Sequence, residues 1–222
     1  MRWYQTSVGR KIVMAISGLI MVGFAVVHML GNFAIFAGAD AINAYAGKLH
    51  SLGPGLWLFR AVMLGAVVLH IWQGVSLTFE NSSARPVGYK QKQNLKTGFS
   101  ATTMIYTGLL LAAFIIYHLL HYTVRVIDSS YAKMLLADGH GMDVYQMVTT
   151  GFGHSFAVVV YVVAMIILLL HLSHGIASTL QSLGLNNDKV QPIIEMAGKA
   201  LAFVLLVGFA AVPLSVLFGI VH

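Results

Sequence analysis

The sequence predicts an all-α integral membrane protein, a single bundle of five transmembrane helices over residues 1–222 with no separate soluble domain. Three observations carry this. The chain is 58% hydrophobic and only 9% charged, whereas an ordinary soluble domain carries roughly 25% charged residues. That much apolar surface cannot be hidden in one small water-soluble core. Five apolar runs each reach the roughly 20 residues a spanning helix needs, and they lack the period-two alternation of barrel strands.

The first run, 11–37, sits behind Arg2, Arg10 and Lys11. Its basic front and "FAGADA" imitate a secretory signal. The run is far longer than a signal core of roughly 7–15 residues and contains His28, so it reads as a retained helix. In "DAINAYAGKLHSLG" (40–53), Ile42, Tyr45 and Leu49 follow an Asp40 cap at helical spacing, and this connection is expected to lie along the membrane interface. Runs two and three cover 57–79 and 99–125. A partly amphipathic connection, 128–153, leads to run four at 154–182. Run five, 194–221, is expected to pack against a bundle of the other four.

Lysine and arginine set the orientation. Arg2, Arg10, Lys11, Arg85, Lys90, Lys92, Lys96, Lys189 and Lys199 fall on one side, and Lys48, Arg60, Arg125 and Lys133 on the other. The N-terminus is therefore expected in the cytoplasm and the C-terminus outside, in the cell's inner (cytoplasmic) membrane. The net charge of +6 reflects the basic inner collar, which suits lipid head groups or an acidic partner; nothing suggests nucleic acid. With no cysteine, the chain itself can hold no disulfide, thiolate metal site, covalent c-type haem or iron–sulfur cluster.

The informative residues are histidines. His50, His140 and His222 lie in loops or at the terminus, and His154 at a helix start. His28, His70, His118, His121, His171 and His174 lie inside spans, where ionisable groups are costly and face the bundle interior or a cavity. One alone reads as well as an interhelical hydrogen bond. Depth separates the readings. Helices one and three rise outward and two and four return. At about 1.5 Å per residue, His28 and His118 share a level roughly 10–17 Å below the outer end, and His70 and His171 one roughly 22–26 Å below it. Two facing pairs, about 10 Å apart by this rise, suit the two axial positions of haem iron in a bundle core. Zinc would want three or four ligands at one level. A proton relay would use a mid-membrane acid, and all seven acids lie in loops or near helix ends.

"HIWQGVSLT" (70–78) and "HLSHGIAST" (171–179) repeat one frame, with Gly74 and Gly175 four residues after His70 and His171. A glycine at that offset shares the histidine's face and would let a flat macrocycle approach the backbone; ordinary small-residue packing is the alternative. The frame selects His171 over His174. A weaker likeness of "VVHML" to "IYHLL" favours His118 over His121. His121 and His174 are left as supporting donors or polar residues near a haem edge. Arg10, Lys11, Ser17 and Gln181 inside and Arg125 outside are candidates for propionate partners, each equally an interfacial anchor. The second ring nitrogen of each ligand is expected to bond a carbonyl, hydroxyl or water.

The stretches "GLIMVGFAVVHMLGNFAIFAGADAINAYAGKLHSLG", "VVLHIWQGVSLTFENSSARPVGY", "IIYHLLHYT" and "LLHLSHGIASTLQSLG" together resemble the cytochrome b membrane anchor of succinate:quinone oxidoreductases and quinol:fumarate reductases, in the five-helix, two-haem class. The likeness covers nearly the whole chain, and its specificity lies in the combination of spans and histidines. It implies bis-histidine ligation of two haem b groups, by helices one with three and two with four: His28 with His118, His70 with His171. It also implies a flavoprotein subunit with covalent FAD and an iron–sulfur subunit on the cytoplasmic face. The chain would then anchor these partners, carry electrons and supply a site for quinone, most often menaquinone, without binding succinate. Trp72, Gln73 and Arg85 are inner-face candidates for that site, with no motif selecting them. Some fumarate reductases of the class place a glutamate, associated with proton movement, two residues before the fourth ligand. Here that position is Leu169, so a proton route of that kind is not expected. Two other classes compete: a dihaem cytochrome b of a hydrogenase or formate dehydrogenase, against which the basic inner collar argues, and a haem-free transporter or anchor, which would be colourless.

Overall fold

A computed structural model describes residues 2, 4, 6–84, 98–137, 139 and 141–222. Arg85, Lys90, Lys92 and Lys96 of the expected basic collar, and His140, lie outside the described residues. Among the described residues the chain is helical with no strand, apart from an isolated bridge between Leu135 and Met142. In order come α1 (Ser7–Asn32), α2 (Ala39–His50), α3 (Pro54–Ser83), α4 (Phe99–Thr102), α5 (Met104–His118), α6 (Val144–Phe152), α7 (Ser155–Ser182) and α8 (Gln191–Leu217). A 3₁₀ turn (Phe33–Ala37) extends α1, and a π turn (Leu119–Thr123) extends α5. Among the described residues five helical segments, Ser7–Ala37, Pro54–Ser83, Met104–Thr123, Ser155–Ser182 and Gln191–Leu217, are long and apolar enough to cross a membrane. The chain is a multi-pass membrane protein.

Local chemistry sets the boundaries. The Thr6 hydroxyl accepts from Gly9 N–H at 3.1 Å and caps α1. Gly38, at φ +96°, turns the chain into α2. The cap is therefore Gly38 and not Asp40, whose carboxylate stands in the first turn and favours the helix dipole from there. Gly53 (φ +52°) and Pro54 start α3. The third apolar run is broken: α4 ends at Thr102, Thr103 leaves helical geometry, and the span proper begins at Met104. The fifth span ends at Leu217, short of the expected 221, and starts earlier, at Gln191.

The helices α1, α3, α5 and α7 form a ring in that order, with α8 lying along α7 and touching α1. Small residues bring α8 close: a side chain at Gly198 would sit 3.2 Å from Ile176, and Gly208 lies against Met29. Buried Met29, Leu172, Ala202 and Leu205 fill that seam. Trp57, Trp72 and Phe79 of α3 point outward, as lipid-facing side chains do. At one end, here the capped end, α2 and α6 cover the bundle through Ile35, Ile42, Phe152, Val158 and Val212. At the opposite, basal end, Arg10 of α1 pairs with Glu80 of α3.

The cap is tied by one side chain. Asn43 Oδ1 accepts from the N–H groups of Val144 (2.8 Å) and Tyr145 (3.1 Å), and its amide donates to Asp143 at 3.1 Å. Asn43→Ala is expected to cost about 1–3 kcal/mol, read as a lower thermal midpoint in detergent. Asn43→Asp keeps the acceptor but faces Asp143 with like charge, and should recover only part of the loss.

Candidate functional site

Alternate helices of the ring face each other across its interior, and there the histidines meet. His28 of α1 and His118 of α5 have ring centroids 5.8 Å apart, with planes at 78°. His70 of α3 and His171 of α7 are 6.3 Å apart, with planes at 67°. The four residues brought together are those expected from depth together with the repeated histidine frames, and they meet in the expected pairs. His174 enters neither pair.

The vertical spacing differs from expectation. Gly18 of α1 touches the His70 ring, and Gly108 of α5 the His171 ring. His28 and His118 lie ten residues further along those same helices, which places the two levels about 15 Å apart at 1.5 Å per residue, and not 10 Å. The earlier figure leaned on helix ends taken from hydropathy, whereas contacts between helices give the offset directly.

Three of the four rings hold Nδ1 against an oxygen. His70 Nδ1 lies 3.1 Å from the Met14 carbonyl and 3.4 Å from Ser17 Oγ. His171 Nδ1 lies 3.1 Å from Thr107 Oγ1. His118 Nδ1 lies 3.1 Å from the Tyr161 hydroxyl. In each case Nε2 is left as the second nitrogen. His28 differs: it stacks on Phe24 at 5.1 Å, and its Nε2 approaches the Asn32 amide at 3.4 Å, too long for a good hydrogen bond.

His121, three residues beyond His118, sits elsewhere. The π turn carries it into a tyrosine cluster, where Nδ1 lies 3.2 Å from Tyr161 and Nε2 3.3 Å from Tyr131. It is 3% exposed and Tyr131 1%. Burial, with the nearby Asp128 carboxylate, raises the Tyr131 phenol above its ordinary range, so it stays protonated. A cavity of about 210 Å³ opens beside this cluster, lined by Tyr117, His121, Asp128, Tyr131 and His154 among others.

The remaining candidates divide. A side chain added at Gly74 would meet nothing within 4 Å, and one at Gly175 would meet only Met104, at 3.9 Å. Ser17 is turned toward His70. Arg10 is engaged by Glu80. Lys11 and Gln181 are exposed, as is Trp72. Arg125, at φ +62°, has a buried Nε with no partner among the described residues, and Gln73 Oε1 is in the same condition. Sequence reasoning missed Gly18, Thr107, Gly108 and Tyr161. A comparison longer than five residues between helices one and three finds the first three; Tyr161, a lone polar tip in "VVVYVV", carries no signal.

The arrangement offers two donors per level. No group of three or more His, Cys, Asp or Glu side chains that could hold a metal ion occurs among the described residues. Two imidazoles bound to opposite sides of one metal, with bonds of about 2 Å, would place their centroids about 6 Å apart, which both pairs fit.

Tyr161→Phe removes the hydroxyl that serves both His118 and His121 and is expected to cost about 1–3 kcal/mol. Tyr122→Phe removes a buried hydroxyl without a partner among the described residues, and should be neutral within about 0.5 kcal/mol, or stabilising. Thermal midpoints of the two variants side by side check both. In comparisons with known proteins, no family model, curated protein or solved structure matches this chain.

Proposed function

We propose that this chain is a dihaem cytochrome b membrane anchor, of the type that serves succinate:quinone oxidoreductase or quinol:fumarate reductase. The observation that carries the reading is the meeting of His28 with His118 and of His70 with His171 across the bundle, each pair at the spacing of two ligands on one metal. A centre with only two protein donors calls for a cofactor that brings its own equatorial ligands, as haem does. Held by His28 with His118 and by His70 with His171, such a group would supply one-electron transfer rather than oxygen chemistry.

The protein's part is placement. Oxygens on Met14, Thr107 and Tyr161 hold Nδ1 of His70, His171 and His118, which orients each ring and leaves Nε2 for the metal. Apolar helices exclude water. Gly74 and Gly175 follow His70 and His171 by one helical turn and leave open space around their own backbone, which suits a flat macrocycle there. The unpartnered Arg125 Nε suits a propionate beyond the capped pair, and Gln73 is a polar contact near the basal one. On this reading the basal end is cytoplasmic, in the cell's inner membrane. The iron–sulfur and FAD-bearing subunits dock there against the basic collar that includes Lys189 and Lys199, and the chain passes electrons between them and membrane quinone, menaquinone in most of the class.

The test is to isolate the intact complex from membranes and offer it alternative reductants. Succinate, through co-purifying FAD and iron–sulfur subunits, is expected to reduce the b-type absorption; reduction by formate or hydrogen and not by succinate would overturn the partner assignment. Gly74→Val is expected to leave the chain folded in the membrane while lowering its haem content by about half. Full haem content in that variant would remove Gly74 from the cofactor's surroundings.

A further inference from the structure

We propose that Ser17–Gly18 on α1 and Thr107–Gly108 on α5 are two copies of one cradle, each fixing the tautomer and rotation of a basal histidine on the next helix. The first copy serves His70 and the second His171.

The hydroxyls decide the tautomer. Ser17 Oγ donates to carbonyls of its own helix, at 2.8 Å (Val13) or 3.0 Å (Met14). Thr107 Oγ1 does the same to Thr103 or Met104, both at 3.1 Å. A hydroxyl has one proton. With that proton directed at a carbonyl, the oxygen can only accept from the imidazole facing it. The Met14 carbonyl beside His70 is likewise only an acceptor. Nδ1 of His70, facing the Met14 carbonyl, therefore carries the ring proton, and with the Thr107 proton on its own helix so does Nδ1 of His171, which leaves Nε2 with the lone pair in both.

The glycines decide the ring's position. A Cβ on Gly18 would stand 3.2 Å from His70 Cε1 and 3.4 Å from its Nδ1; one on Gly108 would stand 3.3 Å from His171 Cε1. Each imidazole edge thus rests on bare backbone, beside the oxygen that holds its Nδ1: the Met14 carbonyl, with Ser17 further off, for His70, and the Thr107 hydroxyl for His171.

Serine or threonine bonding back to its own helix, and glycine at a helix contact, are each ordinary in membranes. Their duplication is not covered by that. "SGLIMVGFAVVHML" (17–30) and "TGLLLAAFIIYHLL" (107–120) align over fourteen residues with an offset of 90. The hydroxyl, the glycine, Phe24 or Phe114, and His28 or His118 all correspond. Phe24 and Phe114 contact the histidine of their own copy at 5.1 and 6.0 Å. Each of the two helices therefore carries one histidine of the capped pair and, ten to eleven residues earlier, the cradle for one histidine of the basal pair.

The consequence for electron transfer rests on the dihaem reading. A ligand imidazole whose Nδ1–H is held by an oxygen is a stronger base toward iron and favours the oxidised state. Removing the Thr107 hydroxyl should therefore ease reduction at the basal level and leave the capped level, about 15 Å away, unchanged.

The test has two readouts. The first is read with or without the cofactor: nitrogen-15 NMR of the full chain, histidine-labelled, in its membrane complex, reduced where pigment is present. His70 and His171 are expected as Nδ1–H tautomers, and an Nε2–H tautomer at either would overturn the cradle. The second is a redox titration of the same complex. Thr107→Val should shift the reduced-to-oxidised ratio at the basal level roughly three- to tenfold toward reduced, and Thr107→Ser should restore it. With both haems present, an unmoved ratio, or movement of the capped level instead, would overturn the cradle. Nδ1–H tautomers in a colourless chain would leave the cradle standing and remove the proposed function.

Discussion

An imidazole inside an apolar bundle is unfavourable unless its polar atoms find partners, and four of them facing one another in pairs is the constraint on which this architecture turns. The two pairs lie across the ring of α1, α3, α5 and α7, so each ring position must be held from a neighbouring helix while the interior is kept open between the rings. Met14, Ser17, Thr107 and Tyr161 do the holding. Glycine does the opening, at Gly18 against the His70 ring and at Gly108 against the His171 ring.

The rest of the chain stabilises that ring without entering it. α8 packs through Gly198 and Gly208 onto α7 and α1, whereas α3 leaves Trp57, Trp72 and Phe79 outward. The capped end is closed by α2 and α6, tied at Asn43. Below that cap lies a buried histidine, His121, held from both sides by Tyr161 and Tyr131. Tyr161 bonds His118 and His121 together, so the capped pair is coupled to the cap and the basal pair is not. The two levels accordingly differ in what holds them: a phenol and an aromatic stack at one, hydroxyl, carbonyl and bare backbone at the other.

Much of this was legible in the sequence because membrane chemistry leaves few alternatives. Five long apolar runs and six histidines within them were enough to name four rings and their pairing, since depth along antiparallel helices is simple arithmetic. Depth was less reliable as a measure of separation, because hydropathy does not mark where α1 passes into a 3₁₀ turn or where α4 breaks from α5. Asp40 was read as a cap because its side chain suits one, but the turn needs the positive φ that Gly38 supplies. Ser17 was read as a propionate partner or an interfacial anchor; it faces a ring on another helix, which no local pattern reveals. Tyr161 is hidden for the same reason. The cradle at Thr107 and Gly108 was legible, but only to a comparison of whole helices, since a five-residue frame around His118 stops short of it.

The most direct test of the account is the amount of haem held by each polypeptide, measured by pyridine haemochrome on the purified complex, for the unaltered chain and for His28→Ala and His70→Ala separately. The account predicts two b-type haems per chain, falling to about one in each single variant as one pair is broken and the other left intact. A colourless chain from haem-replete cells, or a pigment that neither substitution diminishes, would contradict it.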